Sequence, residues 1–433
     1  MPTMDAVVIT RKALAWFGLI ATLVAPARLA RADDGGPVAI THARVYLPNG
    51  RAPLDDATLV LAGGKVQAVG AAVRVPAGAR VIDARGKVVT PGFIDADTAL
   101  GIVDVELELQ TSETDTRGPM VPALRAVDGY NPRSALVPIA RTGGVTSVVV
   151  APRTGVLAGQ SAFVDLTGDS VPQSVVRPIL AQVAHADEPA AQESAGTRSG
   201  MWLMLRTALE DARFYAAHQA QYDANGMRTL SLPRSSLEAL LPMLRGEQPL
   251  VVTAHRASDI AVVLKLADDF KLRIVLVGAS EAWLVADELA RRQIPVVLDP
   301  LEDLPARFDR LHARADNATL LWKAGVPVIL STFSAHQVRL LWQRAGNAVR
   351  EGMDHDDAIR AVTETPADAF HLTGYGRLEP GAVGNVVVWG GDPLQAGTRV
   401  EHVFVHGREE TLETRQSLLL KRYRTVPARL DVR

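Results

Sequence analysis

A chain of 433 residues with 46 basic and 48 acidic side chains carries a formal net charge of −2, so no basic excess exists to neutralise phosphates and nucleic acid is excluded as a partner. Cysteine is absent, which removes thiolate metal sites, thiol nucleophiles and disulfides and leaves His, Asp, Glu, Lys, Ser, Thr and Tyr to carry any chemistry. A hydrophobic content of 48% with 22% charged residues is that of a globular protein, and the length suits a (β/α)8 barrel with an appended unit.

The first stretch reads as an export address. Arg11 and Lys12 precede an apolar run over 13–25, which is followed by Ala30-Arg31-Ala32 and then Asp33-Asp34. The run is shorter than the ~20 residues that span a bilayer. A basic start, a short apolar middle and a small-x-small end predict a signal peptide over 1–32, cleaved after Ala32. The alternative is an uncleaved anchor. The expected mature protein is periplasmic or secreted, with no membrane span.

From 37 to 90 short alternating apolar segments are separated by Gly, Pro, Asn and Asp, as in a small β unit. A second β stretch follows near the other end, at 385–389 and 402–405. The two stretches, 37–90 and 376–410, are expected to fold together as one composite β-sandwich, followed by a tail over 411–433. Between them, over 91–375, apolar strands alternate with helical patterns, the rhythm of parallel βαβ units. Candidate strands are 93–96, 145–150, 162–166, 179–184, 250–254, 273–277, 295–298 and 326–331. Candidate helices are 200–222, 235–245, 258–270, 281–291, 336–350 and 355–370. The fold class is therefore α/β, a TIM-like (β/α)8 barrel plus a small β-sandwich, with a long loop over 101–135 lying across the barrel mouth.

Active sites of such barrels lie at the C-terminal ends of the strands. After the first strand the chain reads Thr90-Pro91-Gly92-Phe93-Ile94-Asp95-Ala96-Asp97-Thr98-Ala99-Leu100-Gly101. It is preceded by a β unit ending Ile82-Asp83-Ala84-Arg85-Gly86-Lys87-Val88-Val89. Near the other end stand Gly376-Arg377-Leu378-Glu379-Pro380-Gly381, Val386-Val387-Val388-Trp389-Gly390-Gly391-Asp392-Pro393-Leu394 and Val405-His406-Gly407-Arg408. These segments resemble the amidohydrolase superfamily, in particular its imidazolonepropionase-like, exported branch, over about 38–408. The resemblance implies metal-assisted hydrolysis of a non-peptide C–N bond, in a cyclic amide or a small peptide-like substrate.

The resemblance also implies a ligand set: two histidines after strand one, a lysine on strand four in binuclear members, a histidine after each of strands five and six, and an aspartate after strand eight. Here those positions read Asp97 and Ala99, no lysine anywhere between Lys87 and Lys265, His255, Gly278 and Phe333. His255 remains in kind and Asp97 is a candidate substitute. Stable zinc sites need three or four ligands, so the usual site is incomplete and a zinc cofactor is expected only if an atypical site forms. Asp104, Glu106, Glu108, Glu113 and Asp115 after strand one, and Asp299 and Glu302 after strand seven, are either a carboxylate-rich site for a harder cation or a solvated loop face. Tyr130, Asn131, Gln160 and Ser161 fall near strand ends and are candidates for holding a polar small-molecule ligand; the alternative gives them turn and backbone roles. His185, just past the fourth strand, is a further histidine near the mouth.

Three functional expectations follow. The first is an exported amidohydrolase-type enzyme. The second is a catalytically inactive pseudoenzyme that binds a small molecule or a protein partner. The third is metal-free hydrolysis with Asp97 as general base and His255 or His336 as its partner. Oligomeric state is not legible.

Overall fold

A computed structural model describes residues 36–114, 118–168, 170–226 and 228–424. The expected signal peptide and Asp115 lie outside them. Among the described residues no helix is long and apolar enough to cross a membrane.

The chain opens with β1 (Val38–Val45), β2 (Leu54–Ala62), β3 (Lys65–Gly70), β4 (Arg80–Asp83) and β5 (Val88–Pro91). Eight strands of the barrel follow: β6 (Phe93–Thr98), β7 (Val145–Val150), β8 (Leu157–Asp165), β9 (Val175–His185), β10 (Leu250–Ala254), β11 (Ile274–Gly278), β12 (Val296–Leu298) and β13 (Val328–Leu330). The chain then returns to the first unit as β14 (Val386–Trp389), β15 (Val400–Val405) and β16 (Arg408–Glu410). Strands from both chain ends share one sheet, ordered β16-β15-β14-β5-β1-β2-β3, with β4 beside β1. Ile40, Leu59, Leu61, Val89, Val386, Val388 and Phe404 contribute to its core. The tail carries a helix, Arg415–Tyr423.

The barrel sheet runs in sequence order from β6 to β13. Ser331, just beyond β13, closes the ring by donating to Asp95 and to the carbonyl of Asp97 on β6. Side-chain alternation sorts the strands into two faces. Val251, Val275, Val297 and Ile329 fill the interior, together with Ile94, Val149 and Phe163. Leu250, Val252, Ile274, Leu276, Val296, Leu298, Val328 and Leu330 face outward into the core shared with the helices. Phe370, Leu372 and Tyr375 join the interior cluster from beyond the last strand.

Two expectations are corrected. The third strand is not part of a parallel βαβ unit: β8 runs antiparallel to both β7 and β9. A parallel return needs a connection of a dozen or more residues, whereas 151–156 alone join β7 to β8, so the chain can only turn back. The expected helix over 355–370 is two helices, His355–Arg360 and Glu364–Ala369. Pro366 is the reason. It has no N–H for the carbonyl of Val362, four residues earlier, and tolerates only the first turn of a helix. That carbonyl instead accepts from the N–H of Ile94 on β6 at 2.8 Å, which ties the break to the barrel.

Buried polar groups fasten the barrel to the composite sheet. Asp165, fully buried, accepts from Ser147 Oγ at 2.6 Å, Asn385 Nδ2 at 3.0 Å and Tyr375 Oη at 2.8 Å. His406 Nε2 lies 2.5 Å from Oδ2, the oxygen that also accepts from Tyr375. Arg141 and Glu410 form a second buried link at 2.8 Å.

Candidate functional site at the barrel mouth

Asp97 sits near the end of β6 with 7% of its side chain exposed. Its Oδ1 lies 2.6 Å from Nη1 of Arg153, in the turn between β7 and β8. That turn exists because β8 folds back, so the same topology that reverses the strand delivers a guanidinium to the mouth. Beside this pair, His185 at the end of β9 has Nδ1 3.1 Å from Thr253 Oγ1 on β10. Burial pushes the His185 pKa down; the charges of Asp187 and Asp97 oppose that shift and Arg153 adds to it.

His255 follows β10 and continues the inward alternation of Val251 and Thr253. It is 1% exposed, with Nδ1 3.0 Å from Ser280 Oγ. Its Nε2 is buried and has no hydrogen-bond partner among the described residues. Burial, and then the charges of Arg310 and Arg307, hold its pKa well below the usual imidazole value. The ring is therefore neutral at pH 7, in a tautomer set by the Ser280 contact. The segment carrying those arginines is tied down over the ends of β10 and β11. Asn317 Nδ2 donates to the carbonyl of Ala279 at 3.1 Å, and His312 Nδ1 lies 2.7 Å from Glu281 Oε1. Arg310 Nε, Asp309 Oδ1 and Asn317 Oδ1 in this segment are also buried without partners.

The structure places the remaining positions as follows. Ala99 is buried in the outer core, with no donor to offer. Gly278 has φ +78°, and a Cβ there would fall on the His255 ring, 3.0 Å from each of its nitrogens and closer still to Cε1. His255 thus occupies the space that a side chain at 278 would need. Phe333 adopts φ +52° and packs on the interior cluster; a left-handed conformation is strained for a bulky residue. Asp299 is taken by Arg344, with Nε at 3.0 Å from Oδ2. Burial raises the Asp299 pKa and Arg344 opposes the shift. Asp95, fully buried, accepts from Ser331 Oγ at 2.5 Å and Thr332 Oγ1 at 2.6 Å; burial pushes its pKa up to about 6 against those hydrogen bonds.

His336 Nδ1 lies 3.1 Å from Glu106 Oε1, so it faces the loop after β6. Among the described residues, Asp97, His255 and His336 each have a different neighbour, and no hydrogen bond joins any two of them. Asp104 accepts from Ser134 Oγ at 2.5 Å and Glu108 caps a single helical turn. No group of three or more His, Asp or Glu side chains is arranged to hold a metal ion among the described residues. Tyr130 is buried with its ring against Gly101, and its Oη has no hydrogen-bond partner among the described residues. Asn131 Oδ1 caps the N–H of Arg133 at 3.0 Å in a turn. The N–H of Gln160 bonds to the carbonyl of Leu124, and Ser161 Oγ reaches the carbonyl of Ala181.

The residue that sequence reasoning missed is Arg153. Nothing in Pro152-Arg153-Thr154 marks it out; only the reversed strand brings it to Asp97.

The fit of a divalent cation is decided by the donors. Asp97 lies in an ion pair with Arg153, the side chains of Ala99, Gly278 and Phe333 supply no donor, and His255 offers one nitrogen. Zinc needs three or four ligands around one point, so these residues do not fit the metal that the ligand pattern would require.

A sequence model of the amidohydrolase family matches residues 194–410. Among curated proteins, the chain is 23% identical over 370 residues to Amidohydrolase tasK of Hapsidospora irregularis, covering 78% of this chain but only 38% of that relative's length. Among solved structures it is similar to an amidohydrolase from Thermotoga maritima, with a TM-score of 0.78, 25% identity, and coverage of 86% of this chain and 99% of that one. An adenosine deaminase from Xanthomonas campestris with bound zinc shares the fold at a TM-score of 0.53 and 17% identity, covering 89% of this chain and 97% of that one.

Proposed function

The chain belongs to the amidohydrolase family, and from that premise we propose that it binds a small polar, amide-like molecule at the barrel mouth without assembling the family's divalent-metal centre. Family membership supports a hydrolase by ancestry. The observation that carries the metal-free reading is the Asp97–Arg153 pair at 2.6 Å. A guanidinium stands where a cation would be needed to balance that carboxylate, and it cannot lose its charge. The filling of the Gly278 space by the His255 ring supports the same reading. The buried, unpartnered atoms of His255, Asp309, Arg310 and Asn317 provide donors and acceptors for a polar ligand.

The experiment is metal analysis of the full chain after incubation with zinc and manganese. Less than about a tenth of an equivalent is expected to remain after dialysis. A full equivalent that His255→Ala abolishes overturns the reading.

A second reading, hydrolysis without metal, is favoured by one observation: His255 keeps a free, neutral Nε2. Such a nitrogen can take a proton from water. Turnover of a cyclic amide or dipeptide that His255→Ala removes would select it. Export is proposed from the sequence of the first 32 residues; a mature chain starting at Asp33 in N-terminal sequencing checks it.

A further inference from the structure

The opposite face of the barrel holds a cleft. Pro249, Arg273, Pro295 and Pro327, which lead into β10, β11, β12 and β13, line a cleft of about 750 Å³ together with Glu364 and His371 from beyond the last strand. In such barrels this N-terminal face ordinarily serves stability.

The charges in the cleft are unevenly matched. Every carboxylate in its lining has a partner. Asp357 accepts from Trp322 Nε1 at 2.9 Å and pairs with Arg360. Glu364 accepts from the N–H of Asn49 at 3.1 Å and pairs with Arg377 at 3.1 Å. Asp368 pairs with Arg377 at 2.5 Å. The lining guanidinium of Arg292 is matched as well, by Asp268 at 2.7 Å and Glu288 at 2.5 Å. Arg273 is not: half-buried in the lining, its guanidinium has no ion pair and no hydrogen bond among the described residues.

Its surroundings are cationic. Arg177 Nη1 donates to the carbonyl of Phe370 at 3.0 Å and has no carboxylate partner among the described residues. After burial, the charge of Arg177 is what lowers the Arg273 pKa. Burial, and then Arg273 and Arg177, lower that of His371, with Asp368 alone pushing the other way. Two permanent charges thus repel one another and disfavour the charged form of His371, beside an open cleft whose acids are already engaged.

We propose that this cleft binds a small oxyanion, a phosphate or a carboxylate, held by the guanidinium of Arg273 with Arg177 and His371 alongside. The planar fork of an arginine matches two oxygens of either anion. Binding would offset the repulsion between the two guanidiniums and favour the charged form of His371, which Asp368 otherwise favours alone.

The test is titration calorimetry of the full chain with inorganic phosphate and, separately, malonate. Binding of either supports the site, and which one binds identifies the oxyanion. Arg273→Met keeps the apolar stem and removes the fork, and is expected to weaken binding at least about tenfold. Arg292→Met removes a matched guanidinium from the same cleft and is expected to leave it unchanged. Should Arg273→Met fail to fold, Arg177→Met, at an exposed position, must weaken binding instead. No heat from either anion up to about 10 mM, or full binding by the folded Arg273→Met protein, overturns the proposal.

Discussion

Replacing Arg153 by methionine tests how tightly the barrel mouth depends on its internal cation. The pair is separated by 2.6 Å, with 23% of the Arg153 side chain and 7% of the Asp97 side chain exposed. At an effective dielectric constant of ~20, Coulomb's law gives a gross attraction of about 6 kcal/mol. Most of it is offset by the cost of bringing both charges out of water. Removing one partner of a fully buried pair costs ~3–5 kcal/mol; because Arg153 is partly exposed, about 2–3 kcal/mol is expected. Asp97→Asn leaves behind a long side chain that can reach water, so about 1 kcal/mol is expected. The double variant strands no charge and should lose no more than Arg153→Met alone. A double-mutant cycle in equilibrium urea unfolding should then give a coupling of about 1–2 kcal/mol. Costs that simply add, to within about 0.5 kcal/mol, would refute the view that the guanidinium neutralises Asp97.

The remaining predictions follow from other buried groups. Asp95, with a folded pKa of about 6 against an ordinary 3.8, holds its proton more tightly in the fold than in the unfolded chain. Its contribution to stability is therefore present below about pH 4 and is lost as pH rises through about 6, by ~3 kcal/mol. Asp95→Asn should stabilise the protein by up to about that amount at pH 8 and not at pH 4; equal effects in urea melts at the two pH values would contradict this. Gly278→Ala should cost at least about 2 kcal/mol through the contact with His255 and the left-handed backbone; adding His255→Ala should return only the steric part, a comparison made by thermal melting. Arg141→Met should cost about 1–3 kcal/mol at the joint between barrel and sheet, because Glu410 keeps Arg408 at 2.8 Å, and a loss under about 0.5 kcal/mol in urea unfolding would show that the joint does not rely on this pair.

Much of the fold was legible because strands and turns are local events. Each of the eight expected barrel segments overlaps an observed strand, since alternation and flanking Gly or Pro are read within a few residues. Direction was not legible in the same way: Ala162 to Leu166 reads identically up or down the barrel, and only the short link at 151–156 decides. The helix break at 361–363 was legible in principle from Pro366, but the donor that takes up the freed Val362 carbonyl, the N–H of Ile94, lies far away in the chain.

The sequence by itself determined which side chains can carry chemistry. Ala99, Gly278 and Phe333 carry no ligand atoms whatever their surroundings, and the absence of cysteine and of lysine between 87 and 265 is a property of the chain alone. What stands around those positions was decided by tertiary structure. Arg153 reaches Asp97 because β8 folds back; the His255 ring fills the space beside Gly278 because β10 and β11 are neighbours; Arg273 is left unmatched because four strand entrances converge on one cleft. A charge or a ring acts over a few ångströms of space, and only the packed chain fixes which residues, distant in sequence, come that close.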